Sequence, residues 1–220
     1  MKEFIRKLYS KASGATDLSM ELNKIAAKTS AEYIYQKMLK AKPLQSDLEV
    51  LNYAANLSKS NGLALEFGVY TGRSINHLSS KFEKIYGFDS FDGLPESWHT
   101  NIEQGHFALN NLPKVNKNVE LIKGLFDETL PNFFNFDYDE KFISFLHVDC
   151  DLYSSTISVF KHCGKYLKKD SIIVFNEYFN YPGWEQGEFK AFHEFVTTNS
   201  IKYEYLCYNK NHEQVAVQLR

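Results

Sequence analysis

Five short clusters in this chain combine acids, amides, hydroxyls and glycines, and each follows an apolar run. They are Glu66-Phe67-Gly68-Val69-Tyr70-Thr71-Gly72, Asp89-Ser90-Phe91, Gly124-Leu125-Phe126, Asp149-Cys150-Asp151 and Asn176-Glu177-Tyr178. An acid at such a place can accept the hydroxyls of a ribose or pair with the amine of an amino acid. The glycines at 68 and 72 allow a ligand close to the backbone, although a sharp strand-to-helix turn would use them equally well. Their spacing is ExGxxxG. It is not the GxGxxG of a dinucleotide site, because position 70 is Tyr, and no GxxxxGK phosphate loop is present. An acid ahead of the glycines repels a pyrophosphate, so the pattern disfavours NAD and favours a ligand with positive charge. Asp89 is suited to a ribose, or to a simple Asp-Ser turn.

These clusters need elements to bring them together. The apolar runs 63–67, 85–88, 119–122, 143–148 and 172–175 read as strands buried on both faces. The stretches 74–82 and 156–167 are long enough for crossover helices. That alternation predicts a Rossmann-like α/β domain with a doubly wound, mostly parallel sheet, and ligands in such sheets lie beyond the carboxyl ends of the strands. The runs 202–207 and 214–219, joined by 208–213, add a hairpin, so seven strands ending in an antiparallel pair are expected. Ahead of them, apolar residues at helical spacing (Met20, Ile25, Ala27, Tyr33, Ile34, Met38) predict a helix over 18–39, stopped by Pro43. A second helix covers 47–58. Residues 1–60 thus read as a helical cap on one structural unit with the 61–220 domain.

The composition fits that reading. The chain has 220 residues, 44% hydrophobic and 24% charged, with 15% aromatic. This is one globular domain with additions, and the aromatic content points to a large core or a flat-walled ligand site. A net charge of -2 gives no basic face for nucleic acid. No apolar run is long enough to span a bilayer, and MKEFIRKLYSKASG lacks the continuous apolar stretch of a signal peptide. Cys150, Cys163 and Cys207 are odd in number and far apart, which excludes a complete disulfide framework and suggests a reducing, cytoplasmic setting.

Taken in order, the motifs resemble a known family. The stretch 66–74 is similar to motif I of class I S-adenosylmethionine-dependent methyltransferases, nearest to metal-dependent O-methyltransferases of the catechol and caffeoyl-CoA type. The stretches 86–96, 147–156 and 175–184 resemble the macrocin and mycinamicin (macrolide-sugar) O-methyltransferase group. The resemblance runs from about Ala31 to Leu219. It implies that Glu66 and Gly68 line the methionine part of the cofactor pocket and that Ser74 binds its carboxylate. It implies Asp89 on the ribose, with Ser90, Phe91 and Phe126 near the adenine. Tyr70, Gly72 and Asp151 complete the implied cofactor set. Asp149 would lie between cofactor and acceptor, and Asp149, Asn176 and Glu177 would hold Mg²⁺. The implied reaction is methyl transfer to a hydroxyl of a sugar or other polar small molecule.

Two positions depart from the family pattern. Asn176 stands where close relatives have an acid, and its amide adds no negative charge. Leu152 stands where the catechol type carries a lysine base. Candidates for the base are His106, favoured from the polar segment after the second strand, with His99 and Asp151. Tyr178, Tyr181 and Trp184 could form an aromatic acceptor wall or pack in the core. His147, inside an apolar run, reads as a core histidine. The alternatives are metal-independent O- or N-methylation, or a cofactor-binding scaffold without turnover. The N-terminal helices could cover the active site or a homodimer interface.

Overall fold

The computed structural model describes residues 17–59, 61–98, 102–135 and 142–220. Helix α1 (Leu18–Lys37) begins at Asp17, whose carboxylate accepts the backbone N–H groups of Ser19 and Met20. Those donors would otherwise lack partners at the helix start. The apolar spacing marks the core side only toward the end of this helix, where Tyr33, Ile34 and Met38 pack against the core; in its first half it does not. Met20 and Ile25 are each 57% exposed, whereas Ala26, Ser30 and the following Met38 are buried. Specific bonds also hold α1. Trp184 Nε1–H donates to Thr29 Oγ1 at 3.1 Å, and the Asn180 N–H donates to Ser30 Oγ at 2.8 Å. The Tyr33 hydroxyl joins a buried cluster with Tyr178, Tyr205 and His193.

After β1 (Lys42–Leu44) and α2 (Asp47–Leu57), the chain alternates β2 (Leu63–Phe67), α3 (Arg73–Leu78), β3 (Ile85–Asp89), β4 (Val119–Lys123), α4 (Phe126–Phe134), β5 (Ile143–Val148), α5 (Tyr153–Cys163), β6 (Ile172–Phe175) and α6 (Glu188–Thr198), then closes with β7 (Tyr203–Asn209) and β8 (Val215–Leu219). The sheet order is β1-β7-β8-β6-β5-β2-β3-β4. Only β8 runs antiparallel to its neighbours. All seven expected strands form, and an eighth, β1, pairs with β7. It is three residues long and includes Pro43, which has no N–H to give and is tolerated on an edge. Residues 1–60 are therefore not purely helical; part of that segment is built into the sheet.

β2, β5 and β6 are buried along their whole length, as their continuous apolarity predicts. On one face Phe67, Phe88, Val148 and Phe175 pack with Phe160 of α5 and Phe192 of α6. On the other, Ala64, Phe145 and Val174 pack with Val50, Leu51 and Ala54 of α2 and with Ile75 and Leu78 of α3. Cys150, Cys163 and Cys207 are buried free thiols. Among the described residues, no helix is long and apolar enough to cross a membrane. β3 and β4 are joined without a helix among the described residues, by a segment folded back on itself. There the Leu94 N–H donates to the His106 carbonyl, and the Gly105 N–H to the Leu94 carbonyl, each at 2.9 Å.

Candidate active site

Strand order reverses between β2 and β5, and the chain crosses itself closely there. Gly68 has φ +88, and a Cβ at this position would lie 1.6 Å from the Asp149 carbonyl oxygen. Only glycine permits that approach. The Asp149 N–H donates to the Phe67 carbonyl at 2.8 Å, and the Gly68 N–H to the Phe88 carbonyl at 2.9 Å. A cavity of about 1010 Å³ opens above this crossing.

One side of the cavity is built by β2, β3 and the start of α4. Gly68, Tyr70, Asp89, Ser90 and Phe126 line it. The Asp89 carboxylate is the organiser. Its Oδ2 accepts the N–H groups of Val69 and Tyr70, both at 2.8 Å, and its Oδ1 accepts that of Phe91 at 2.7 Å. One acid thereby fixes two strand-end turns and keeps further acceptor capacity for a ligand hydroxyl. The Tyr70 ring rests edge-on against Phe107.

The other side carries acids. Asp149 and Asp151 follow β5, and Glu177 follows β6; ligating oxygens of all three fall within 4.8 Å of one another. Burial and neighbouring carboxylates raise their proton affinities. Asp149 is pushed up to about 6, chiefly by desolvation, with His147 opposing. Asp151 is pushed up to about 7 by desolvation and then by Asp149. Desolvation, then Glu188, lifts Glu177 well above the ordinary range. Glu177 Oε1 accepts from the Asn176 amide, but Oε2 is buried without a partner among the described residues. A buried carboxylate oxygen with nothing to bond is costly unless a ligand completes it. The set consists of hard oxygen donors, which suits a magnesium-like cation. The Asn176 amide oxygen accepts from Gln214 Nε2 at 3.0 Å, and the third carboxylate of the cluster is that of Asp151.

Glu188, at the start of α6, links the two loops that carry these acids. Its carboxylate accepts the Cys150 N–H at 3.5 Å and the Glu177 N–H at 3.1 Å. Glu213, in the turn between β7 and β8, also faces the cavity. Neither residue sits in a recognisable motif. The first opens an amphipathic helix, and the second lies in a hairpin turn, so only the fold brings them here.

Several expected residues lie elsewhere. Glu66 does not line the cavity; it is fully buried, with Ser74 Oγ donating to one oxygen at 2.9 Å and His147 Nδ1 bonded to the other at 2.8 Å. Ser74 is thereby engaged, and His147 is the core histidine its strand suggests. Burial alone would lower the His147 pKa, but the Glu66 bond and charge hold it above its usual value. Gly72 caps α3, and Phe91 is 2% exposed in the core; neither lines the cavity. His106 is exposed, and its ring lies against Phe107, which takes the cavity position instead. The pairing of its carbonyl with Leu94 fixes its backbone there. His99 lies outside the described residues. Of the three aromatic wall candidates, Tyr181 lines the cavity, while Tyr178 and Trp184 are buried against α1. Trp98, Ile102, and Leu22 of α1 supply apolar lining that sequence reasoning did not name.

A family model for the methyltransferase domain matches residues 65–178. That span holds the Gly68 crossing, Asp89 and all three clustered acids. No curated protein sequence matches the chain. Among solved structures, the chain is similar to CalS11, a calicheamicin methyltransferase, at 24% identity, covering 78% of each chain with a TM-score of 0.62. An apo structure of CalS11, titled TDP-rhamnose 3'-O-methyltransferase, aligns at 21% identity over 92% of this chain and 95% of that one, with a TM-score of 0.57. The O-methyltransferase NovP aligns at 18% identity over 92% of this chain and 99% of that one, with a TM-score of 0.51. At these identities the likeness is one of fold.

Proposed function

The chain belongs to the methyltransferase-domain family as an S-adenosylmethionine-dependent enzyme, and from that premise we propose that it methylates a hydroxyl of a sugar or another polar small molecule, assisted by a divalent cation. The observation that carries the proposal is the convergence of Asp149, Asp151 and Glu177 at the switch point, with one buried oxygen unsatisfied. The choice of oxygen as acceptor is supported by the O-methyltransferase descriptions of CalS11 and NovP, which share the fold.

In the reaction a carbon–sulfur bond breaks as a carbon–oxygen bond forms in line with it, and the acceptor hydroxyl gives up its proton. Most of what a protein can contribute is positioning. Gly68 lets the methionyl part approach the backbone. Asp89 holds the turns at 69–70 and 91 and accepts ribose hydroxyls. Tyr70 and Phe126 flank the adenosine side. Asp149, Asp151 and Glu177 would hold Mg²⁺, with the Asn176 amide orienting Glu177 and the carboxylate of Glu188 setting the distance between the two loops. When bound, such a cation orients the acceptor oxygen and lowers its pKa.

A second reading has one observation in its favour. Asp151, raised to about 7, could take the acceptor proton directly at neutral pH without metal. Titration with S-adenosylhomocysteine, with Mg²⁺ present and NAD as control, comes first; saturable binding of the former alone is expected. Methyl transfer with and without EDTA then separates the readings. Loss of turnover in EDTA supports the metal-assisted one, and full activity in EDTA selects the second.

A further inference from the structure

The cavity is lined by seven carboxylates and, among the described residues, by no lysine, arginine or histidine. Apart from the exposed His212, which adjoins Glu213, nearby cations are already committed. Arg73 pairs with Asp47, and Lys123 pairs with Asp92. Lys161 neutralises Asp127, one of the seven, at 2.7 Å. A divalent cation and the sulfonium would answer the charge of the three clustered acids. Of the other three, Asp89 is engaged by backbone N–H groups, and between Glu128 and Glu213 it is Glu213 that stands beside the clustered acids, close enough to act on Asp151 and Glu177.

Glu213 is firmly placed. Its carbonyl accepts the Tyr178 N–H at 3.1 Å, which ties the β7–β8 turn to the segment just after Glu177. The next residue, Gln214, donates its amide to Asn176. The Glu213 side chain itself makes no hydrogen bond or ion pair with the described residues, although it is half-buried. Its charge is close enough to raise the proton affinities of Asp151, Glu177 and Tyr181. A fixed, half-buried carboxylate with no hydrogen bond of its own, beside the clustered acids of a cavity that shows no cationic side chain among the described residues, selects by charge. It repels a phosphate and attracts an ammonium.

Resting on the methyltransferase reading above, we propose that the acceptor is a polyhydroxylated molecule that carries a protonated amine and no phosphate, and that Glu213 receives the amine. A nucleotide-diphosphate sugar would bring two negative charges to a wall that has no cationic side chain among the described residues, and only the divalent cation would be there to meet them. Acidity here is thus a specificity filter as well as a cation site.

The test uses the full chain loaded with S-adenosylhomocysteine and Mg²⁺. Three probes are compared by saturation-transfer NMR: methyl glucosaminide, methyl glucoside and UDP-glucose. The glucosaminide is expected to bind about tenfold more tightly than the glucoside, a step typical of one favourable charge pair. UDP-glucose is expected neither to bind nor to compete. Glu213→Gln should erase the preference while S-adenosylhomocysteine affinity stays within about twofold, and Glu213→Asp should retain part of it. Binding of UDP-glucose as tight as that of the amine overturns the proposal. So does a preference that survives Glu213→Gln, or loaded protein that takes up none of the probes. Failure to bind S-adenosylhomocysteine at all would instead strike the methyltransferase reading.

Discussion

Two glutamates in this protein are buried to the same degree for opposite reasons. Glu66, on β2, has a partner for each oxygen, Ser74 on one and His147 on the other. Glu177, just after β6, has the Asn176 amide on one oxygen and, among the described residues, nothing on the second. The first has both carboxylate oxygens engaged between sheet and α3, with only His147 Nε2 beyond it left unbonded among the described residues. The second belongs to a group of acids that repel one another. A buried carboxylate therefore reports function by what it lacks. The motif reading gave both acids a ligand-binding role; only the partner count separates them.

The comparison can be broken most directly at Asp149. Asp149→Ala should cut turnover by about a thousandfold or more, as losing a main electrostatic group of a site does, with circular dichroism unchanged. Retained turnover would remove the acid group from the proposal. Glu66→Ala should act on the other side of the contrast. It strands His147 in the core and should cost about 3–5 kcal/mol in denaturant unfolding. A loss confined to activity, with stability intact, would mean that Glu66 serves the cofactor after all.

Glu188→Gln probes the link between the two acid-bearing loops. Mn²⁺ affinity, read by calorimetry or electron paramagnetic resonance, should fall about 10–100-fold, the usual effect of disturbing groups behind metal ligands. S-adenosylhomocysteine affinity should change less. Equal loss of both would mark Glu188 as part of the general fold.

The smallest effect expected is on melting temperature. Asp149 and Asp151 are raised to about 6 and about 7 from 3.8, so the folded state binds protons more tightly than the unfolded one. Their contribution to stability is full below about pH 4 and is lost as pH rises through 6 and 7. In EDTA, the melting temperature should therefore drop by a few degrees between about pH 5.5 and 8. Saturating Mg²⁺ should reduce or reverse that drop, because it binds the ionised acids. The same pH slope with and without Mg²⁺ would count against a cation site.

What was legible in the sequence follows from the strength of the local signals. Strands buried on both faces leave uninterrupted apolar runs, so β2, β5 and β6 could be read directly. The acids at their ends could be found from the same runs. β1 was not visible, because three residues with a proline carry no periodic signal. The helix at 18–37 was legible, but its anchoring through Thr29, Ser30 and Tyr33 was not, because apolar spacing does not encode hydrogen bonds. Side-chain direction in loops was also hidden. Phe107, rather than His106, turns to the cavity, and Tyr181 lines it where Tyr178 and Trp184 do not. Such choices depend on backbone pairing within irregular segments, as between Leu94 and His106. Glu188 and Glu213 reach the site from elements remote in sequence, and no spacing rule joins them to Asp149 or Glu177.

The placement of β8 has a kinetic consequence. It lies between β6 and β7 and is the only connection between β7, with β1 behind it, and the rest of the sheet. Residues 42–44, paired with 207–209, therefore join the rest of the sheet only once residues 215–219 have been made and inserted. Pairings of such long sequence separation slow folding and expose strand edges while they wait. The β2–β5–β6 layer can assemble earlier, and with it the crossing at Gly68. The turn bearing Glu213 cannot be fixed before β8 is. During synthesis, the half of the cavity that holds the methyl donor should thus take shape first, and the half that chooses the acceptor last.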